Sequence, residues 1–411
     1  MTPQEGKNEH DEAERAAHLM TAAAVREGAE TLYGLARAGA LSSFDVDESR
    51  LSAAVDAVVR VTRARYPDVA RIPYHARYRH FGAGGVDRLG RFEAELAPYS
   101  PEERLAARVE LVITSVLLDA GAGPSWSYRE ASGAPYTRSE GLAVASYDWF
   151  VGGGLSADPA RPLRADASVL STLDESALGR AFQVAADNPL VGLAGRAAVL
   201  RKLGDVCRAK PQYFGANAPR LGRFGLYLAS RAKSGDLRAR IVLAGVLDAL
   251  GEIWPGRVTL AGKNLGDVWP HPRAGLVPFH KLSQWLVYSL AEPLEQAGIR
   301  ITGWDELTGL AEYRNGGLFV DAGVLVPRHA GVLSEVHAVS SSVVVEWRAL
   351  TVALLDRTAV EMRARLGLSE EELPLAKVLE GGTWAAGREL AAELRPGGTP
   401  PLKIESDGTV F

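Results

Sequence analysis

The chain has 411 residues, 47% hydrophobic and 23% charged, which is the composition of a globular protein with a large buried core. Its formal net charge of −4 provides no basic excess for binding nucleic acid, and its one cysteine, Cys207, excludes an intramolecular disulfide. No stretch reaches the roughly 18 apolar residues of a membrane span, and the N-terminus lacks the pattern of a signal peptide. We therefore expect a cytoplasmic protein without membrane contact.

Helical patterns dominate the first half of the chain. Residues 1–19 are polar and charged, which predicts a disordered tail. Apolar spacing predicts a helix from Met20 to Ala38 and a second that opens near Ser43 and ends at Pro67. The sequence Ser100-Pro101-Glu102-Glu103 is a strong helix start, with a serine cap and a proline in the first position.

The second half continues in the same way, with a few short strand signals. Further helices are predicted over SEGLAVASYDWF, over the segment that follows the cap Asn188-Pro189, and over Asp236–Leu250, Phe279–Gly298 and Ser369–Leu379. Another long helix is predicted to end at Leu366. Val336 is the first residue of a strand-like segment, and the C-terminal residues after Pro401 look extended. No repeat or long linker divides the chain, so we predict one mainly α domain over residues 20–411, with a minor β element.

The segment from Thr302 to Val326 concentrates polar groups that could perform chemistry. Read as a helix, it places Asp305, Gly309 and Glu312 on one face, at spacing i, i+4, i+7. Gly309 costs about 1 kcal/mol in a helix interior, which suggests that its lack of a side chain leaves room for a ligand between the two acids. The alternative is an amphipathic surface helix with a solvated acidic side.

Several catalytic chemistries lack their usual spacing. The eight histidines form neither HxH nor HExxH, so we predict no metal site. There is no GxSxG nucleophile motif, and the glycine runs at 82–85 and 152–154 lack the pattern of a phosphate loop. No cofactor is expected.

Carboxylate chemistry remains, and it suits the cleavage of a glycosidic bond. One carboxylate activates water or stabilises an oxocarbenium-like transition state while another group protonates the leaving base. The segment Phe279–Trp285 could supply partners, since His280 and Gln284 are spaced i, i+4 beside Lys281. The alternative is a surface lysine and a core tryptophan.

Long motifs from residue 20 onward resemble the uracil-catabolism protein 4 family, which is linked to a route of uracil degradation through ribosylurea. The motifs are ITSVLLDAGAGPSWSYREASG, SEGLAVASYDWF, NPLVGLAGRAAVLRKLG, GEIWPGRV, NLGDVWPHP, VPFHKLSQWLVYSLAEPLEQAG, LTGLAEYRNGGLFVDAGVL, VVEWRALTVALLDR, LPLAKVLEGGTWAAGRELA and SDGTVF.

A more distant likeness concerns the chemistry. FHKLSQWLVYSL and DELTGLAEYRNGGLFVDAGVL resemble the queuosine-salvage nucleosidase family, which is mainly helical and is similar in fold to helix-hairpin-helix DNA glycosylases. Those enzymes cleave the bond between a modified base and ribose 5′-phosphate. The aspartate of their ADYR motif matches Glu312 here. Their VPQ is replaced by Asn315-Gly316-Gly317, so base recognition must differ.

The two resemblances imply a metal-independent N-ribosyl hydrolase acting on a ureido or pyrimidine riboside, or its 5′-phosphate, such as ribosylurea. Glu312 and Asp305 are the predicted catalytic acids. The predicted substrate-binding residues are Tyr313, Arg314, His280, Lys281, Gln284, Arg79, His80, Asp267, Trp269 and Glu140. Of these, Arg79 and His80 are the candidates for a phosphate contact, while Arg314 could instead form a buried salt bridge.

Two alternatives stay open. The first is an amidohydrolase that opens a ureido bond in the same route, and the second is a non-catalytic binding or scaffold protein. The expected partner is a small-molecule riboside or ribose phosphate, with neither nucleic acid nor membrane. The sequence is also compatible with a homo-oligomer.

Overall fold

Helices account for most of the structure, and strands occur as short pairs. The computed structural model describes residues 3–119, 121–254 and 258–405. Within these ranges every strand belongs to a two-stranded sheet. The predicted mainly α class with a minor β element is confirmed.

The chain divides into two compact units. Unit 1 comprises Met1–His75, Gly256–Trp285 and Gly303–Phe411, and unit 2 comprises Ala76–Pro255 and Leu286–Thr302. The single domain predicted over residues 20–411 is not tested by this division and remains a prediction. Within the described residues, no helix is both long and apolar enough to cross a bilayer.

Unit 1 is built around a long helix, Ser342–Leu366, that packs against Ala22–Arg37 and Leu51–Arg65. The helices of this unit are Pro3–Leu19, Ala22–Arg37, Leu51–Arg65, the start of Lys281–Glu295, Tyr313–Asp321, Gly331–Ser334, Ser342–Leu366, Leu375–Val378 and Trp384–Leu394, with 3₁₀ turns at Glu48–Arg50, Val69–Arg71, Trp304–Glu306 and Pro396–Gly398 and a π-helical turn at Leu379–Thr383. The strand pairs are Phe44–Val46 with Leu325–Pro327, Thr259–Leu260 with Lys263–Asn264, and Val268–His271 with Gly275–Pro278, all antiparallel, and Val336–Ala338 with Lys403–Glu405, parallel.

Unit 2 is built around helix Pro101–Leu117, in which every residue from Leu105 to Leu117 is buried. The other helices of this unit are Arg77–Phe81, Arg88–Leu96, Arg138–Val151, Ala167–Ser171, Glu175–Ala181, Leu193–Ala209, Pro211–Phe214, Arg223–Ser230, Ala239–Leu250 and the end of Lys281–Glu295, with 3₁₀ turns at Ala83–Gly85 and Gly251–Ile253. Its strand pairs are Ser127–Arg129 with Pro135–Thr137, antiparallel, and Asp236–Arg238 with Arg300–Thr302, parallel.

Strong local signals located several helices well. The Ser100 hydroxyl accepts from the Glu103 amide, as its capping sequence predicts. SEGLAVASYDWF lies in helix Arg138–Val151. Asn188 does not cap the next helix, however, because its side-chain amide pairs with the backbone of Ser127, and that helix starts at Leu193.

Other boundaries differ where tertiary contacts decide. The N-terminal segment, expected to be a disordered tail, is helical over Pro3–Leu19. The segment after Ser43 is a strand before it is a helix, because Phe44–Val46 pairs with Leu325–Pro327. The helix predicted over Ser369–Leu379 is confined to Leu375–Val378. The C-terminal segment, predicted to be extended, is a strand over Lys403–Glu405. Residues 406–411 lie outside the described residues.

The predicted helix over residues 302–312 is wrong. Trp304–Glu306 is a single 3₁₀ turn, residues 307–312 are not helical, and the helix begins only at Tyr313. The acids therefore do not share a helical face. Gly309 leaves no gap for a ligand either, because a Cβ there would lie 2.6 Å from a methyl group of Leu355.

We expect opposite stability effects from two glycine-to-alanine changes in helices of unit 1. At Gly387 a Cβ would lie 2.2 Å from the Arg314 carbonyl oxygen, whereas at Gly34 nothing lies within 4 Å. Gly387→Ala should lower the free energy of unfolding by about 1–3 kcal/mol through overpacking. Gly34→Ala should raise it by about 0.5–1 kcal/mol by restricting the unfolded chain. Urea titrations of both variants measure the pair, and equal effects would contradict the close helix contact at Gly387.

Candidate active site

Glu312 caps the N-terminus of helix Tyr313–Asp321 with its side chain. One carboxylate oxygen accepts from the Asn315 amide at 2.5 Å and the other from the Arg314 amide at 2.8 Å. The side chain is buried, with 8% of the residue exposed. Each oxygen keeps a second lone pair, so a carboxylate fixed in this way can still accept from a water or a substrate hydroxyl.

The charge of Glu312 reflects opposing effects. Burial raises the pKa of its carboxyl group above the ordinary value, against the two backbone hydrogen bonds and the positive charges of Lys281 and His75, which lower it. A buried carboxylate with a raised pKa can accept a proton nearer neutral pH than an exposed one. Glu312 is therefore the carboxylate in this region best suited to proton transfer.

An ion pair fixes the relative positions of Lys281 and Glu312. Asp267 accepts two hydrogen bonds of 2.8 Å from the Arg348 guanidinium and one of 3.1 Å from the Lys281 backbone amide. The Arg348 Nε lies 3.5 Å from the carbonyl oxygen of Ala311, the residue before Glu312. The ion pair thus joins the start of helix Lys281–Glu295 to the segment that carries the catalytic candidate.

Gln284 adds a second link between the same two segments. Its side-chain oxygen accepts from the Thr308 amide at 2.8 Å, and its side-chain nitrogen donates to the Thr308 hydroxyl at 2.7 Å. Gln284 is fully buried, so these bonds account for its polar atoms without a ligand. Gln284 therefore links the start of helix Lys281–Glu295 to Thr308, and its role in substrate binding stays a prediction.

The structure places the other predicted residues of unit 1 in varied settings. His280 is buried, has a positive φ of 47°, and donates from Nε2 to the Leu19 carbonyl at 2.8 Å. Trp269 donates to Asp267 at 2.7 Å. Arg314 is buried and donates to the Gly398 carbonyl at 2.7 Å, while its guanidinium lies 4.9 Å from the centre of the Tyr313 ring. Asp305 is exposed.

Three of the predicted site residues belong to unit 2, whereas the others belong to unit 1. Arg79 forms an ion pair with Glu292, and His80 accepts from the Arg77 guanidinium at 3.2 Å. Glu140 is half-buried in the first turn of helix Arg138–Val151, and its charge acts on buried Arg77.

Sequence reasoning missed a histidine–carboxylate pair in unit 1. The His75 Nδ1 lies 2.9 Å from Glu380, and both side chains are about nine-tenths buried. The His75 ring centre is 6.3 Å from that of Trp384, and the ring centre of Tyr74, the preceding residue, is 4.8 Å from that of Trp304. No local spacing connects His75 with Glu380, since they lie 305 positions apart in the sequence.

Two cavities lie away from these side chains. One, of about 790 Å³ in unit 1, is lined by Val320, Asp321, Leu333, Val336, Leu394, Arg395 and residues 399–404. The other, of about 430 Å³ in unit 2, is lined by Val86, Arg91, residues 130–132, Asp148, Val151 and Gly152. Among the described residues, no group of three or more His, Cys, Asp or Glu side chains is placed to hold a metal ion.

The fold and these motifs define a mainly helical protein with a buried carboxylate site. Residues 18–411 match the family described as Protein of unknown function (DUF1688), and the chain belongs to this family. It is 38% identical to Protein urg3 of Schizosaccharomyces pombe, over 97% of this chain and 99% of that protein. It is 36% identical to Uracil catabolism protein 4 of Lachancea kluyveri, over 90% of this chain and 92% of that protein. The predicted family is therefore confirmed.

The Asp267–Arg348 pair should make stability depend on pH in the acidic range. These contacts hold the pKa of Asp267 at about 2, against an ordinary 3.8, even though burial acts to raise it. Because the folded-state pKa is depressed, the stabilisation is present above the unfolded pKa and is lost as pH falls towards about 2. The shift corresponds to about 2 kcal/mol.

Asp267→Asn should lower the free energy of unfolding at neutral pH by about 3–5 kcal/mol, because Arg348 stays buried without its counter-charge. The difference in the free energy of unfolding between wild type and variant should decrease by about 2 kcal/mol as pH falls from about 5 to about 2. Denaturant titrations across this range, with exposed Asp305→Asn as the control, measure it. A gap independent of pH would contradict the role of this ion pair.

Proposed function

We propose that this chain takes part in uracil catabolism as a metal-independent N-ribosyl hydrolase. Its substrate is a ureido or pyrimidine riboside, or the 5′-phosphate, with ribosylurea as the first compound to test. The name of the Lachancea kluyveri relative, Uracil catabolism protein 4, supports the pathway. The likeness to queuosine-salvage nucleosidases supports the reaction type.

The observation that carries the proposal is the buried Glu312 carboxylate, fixed by two backbone amides and acted on by Lys281 and His75. Cleavage of an N-glycosidic bond develops positive charge at C1′ and needs an activated water. A preorganised carboxylate in a water-poor setting serves both needs, because it attracts the developing cation and accepts the water's proton.

Aromatic rings near His75 support a planar leaving group. Tyr74 and Trp304 are half-buried with ring centres 4.8 Å apart, and Trp384 is half-buried beside His75. Planar ureido and pyrimidine groups pack well against aromatic faces. Lys281 supplies a cation close enough to act on Glu312, and a ribose hydroxyl or a phosphate suits such a group.

Glu312→Gln should lower kcat for ribosylurea by roughly 10²–10⁴-fold with little change in KM, because the carboxylate acts mainly in the transition state. The amide keeps a capping oxygen for the helix and removes a charge whose burial is costly, so the variant should stay folded. Asp174→Asn, an exposed capping acid of helix Glu175–Ala181, is the matched control and should keep wild-type activity.

The assay follows ribose or ribose 5-phosphate together with urea after incubation with ribosylurea, its 5′-phosphate or uridine. Release of ammonia and carbon dioxide without free ribose would instead indicate an amidohydrolase. Tight binding without turnover would indicate a scaffold. Full turnover by Glu312→Gln would show that the carboxylate assignment is wrong.

A further inference from the structure

His75 is held in a defined position at the end of the first stretch of unit 1. Its backbone amide donates to the Ala376 carbonyl at 2.9 Å, and its ring lies beside Trp384. Its positive charge, when present, acts on the Glu312 carboxylate. Geometry connects the same groups, because the helix that Glu312 caps, Tyr313–Asp321, packs against the turn Leu379–Thr383, which carries the His75 partner Glu380.

The hydrogen bond to Glu380 fixes which nitrogen of His75 is available. An ionised carboxylate can only accept, so Nδ1, 2.9 Å from Glu380, carries a proton and donates. Nε2 is then the nitrogen that gains or loses a proton. In catalytic triads, a carboxylate orients the histidine in the same way.

Glu380 is itself held in place as an ionised group. Tyr66 donates to its Oε1 at 3.0 Å, and Arg65 lies 3.3 Å from the same oxygen. Although burial acts to raise the pKa of Glu380, the hydrogen bond from His75 and the charges of His75 and Arg65 bring it below the ordinary value. The carboxylate thus stays available as an acceptor for His75.

Glu380 lies in the π-helical turn Leu379–Thr383, between two α-helices. Such turns are rare and recur at functional sites, because the extra residue redirects a side chain. Close packing supports the turn here, since a Cβ on Gly382 would lie 2.3 Å from the Thr62 hydroxyl oxygen. The backbone irregularity coincides with the residue that orients His75.

We propose that His75 is the general acid of the hydrolase, donating from Nε2 to the leaving nitrogen, and that Glu380 is its positioning residue. This inference rests on the proposed function and assigns the proton donor in it. The C1′–N bond breaks, and its electron pair goes to the leaving nitrogen, which takes the proton from the His75 imidazolium. The water oxygen bonds to C1′ and gives one proton to Glu312, and solvent returns that proton to His75.

A general acid matters only when the leaving group needs a proton. His75→Gln should therefore lower kcat/KM for ribosylurea and uridine by roughly 10²–10⁴-fold, but lower that for 4-nitrophenyl riboside by no more than a few fold. A purely structural histidine would lower all three rates alike. The exposed His329→Gln is the control variant and should match wild type on every substrate.

A pH profile gives an independent readout. Wild-type kcat/KM for ribosylurea should fall on the alkaline side as the imidazolium is lost, and His75→Gln should lack that fall. Glu380→Gln should keep the fall but move it to lower pH, with a smaller loss of rate. The titratable and charged groups that act on this pair are Arg65 and Tyr66, which affect Glu380, and Glu312, which His75 affects. On the neighbouring rings, Lys377 lies over Tyr74 and Arg388 over Trp384.

The two proposals fail in different ways. If wild type releases no ribose from any riboside, the proposed function itself is wrong. If wild type is active but His75→Gln keeps the alkaline fall, or loses equal activity on all substrates, the hydrolase stands and the acid is another group. A Glu380→Gln variant with the wild-type profile would overturn the positioning role. Thermal unfolding of each variant shows that the compared proteins are folded.

Discussion

The ion pair between Asp267 and Arg348 is the constraint on which the candidate site depends. Buried ion pairs contribute little net stability, because desolvation offsets most of the attraction, but they fix which segments lie together. Here the pair joins the Lys281 amide to the Ala311 carbonyl, with the Arg348 guanidinium 4.0 Å from the centre of the Phe279 ring. The positions of Lys281 and Glu312 are thereby coupled, although 31 positions separate them in sequence.

The sequence predicted those parts of the fold that local chemistry determines. Ser100 and Pro101 mark a helix start because the capping hydroxyl and the proline act within one turn. Glu312 also caps a helix, but glutamate is not among the usual capping residues, so the start at Tyr313 was not evident. Gly316 lies inside that helix, and its lack of a side chain lets the helix pack closely, since a Cβ would be 2.7 Å from the Trp347 ring.

In the candidate site, too, some residues are indicated by the sequence and others are brought together only by the fold. Glu312 was identified by a motif resemblance, which carries information that spacing does not. The helix predicted to place Asp305 and Glu312 on one face does not form. The geometric reason for pairing Asp305 with Glu312 is therefore wrong. His75 and Glu380 are joined by the fold alone, across 305 positions. Metal ligands and nucleophile motifs have characteristic local spacings in a sequence, whereas a histidine and a glutamate so far apart have none.

Glu312 and Glu380 of unit 1 have environments that move their pKa values in opposite directions. The pKa of Glu312 is raised, because burial outweighs the two backbone hydrogen bonds and the charges of Lys281 and His75. The pKa of Glu380 is lowered, because the effects of His75, Arg65 and Tyr66 together outweigh that of burial. Where environments separate the pKa values of like groups, each group is suited to a different task. Glu380 stays ionised and is suited to orienting a histidine, whereas Glu312 is suited to taking up a proton and releasing it. The proposed mechanism therefore assigns the base to Glu312 and the acid to His75, the histidine that Glu380 holds.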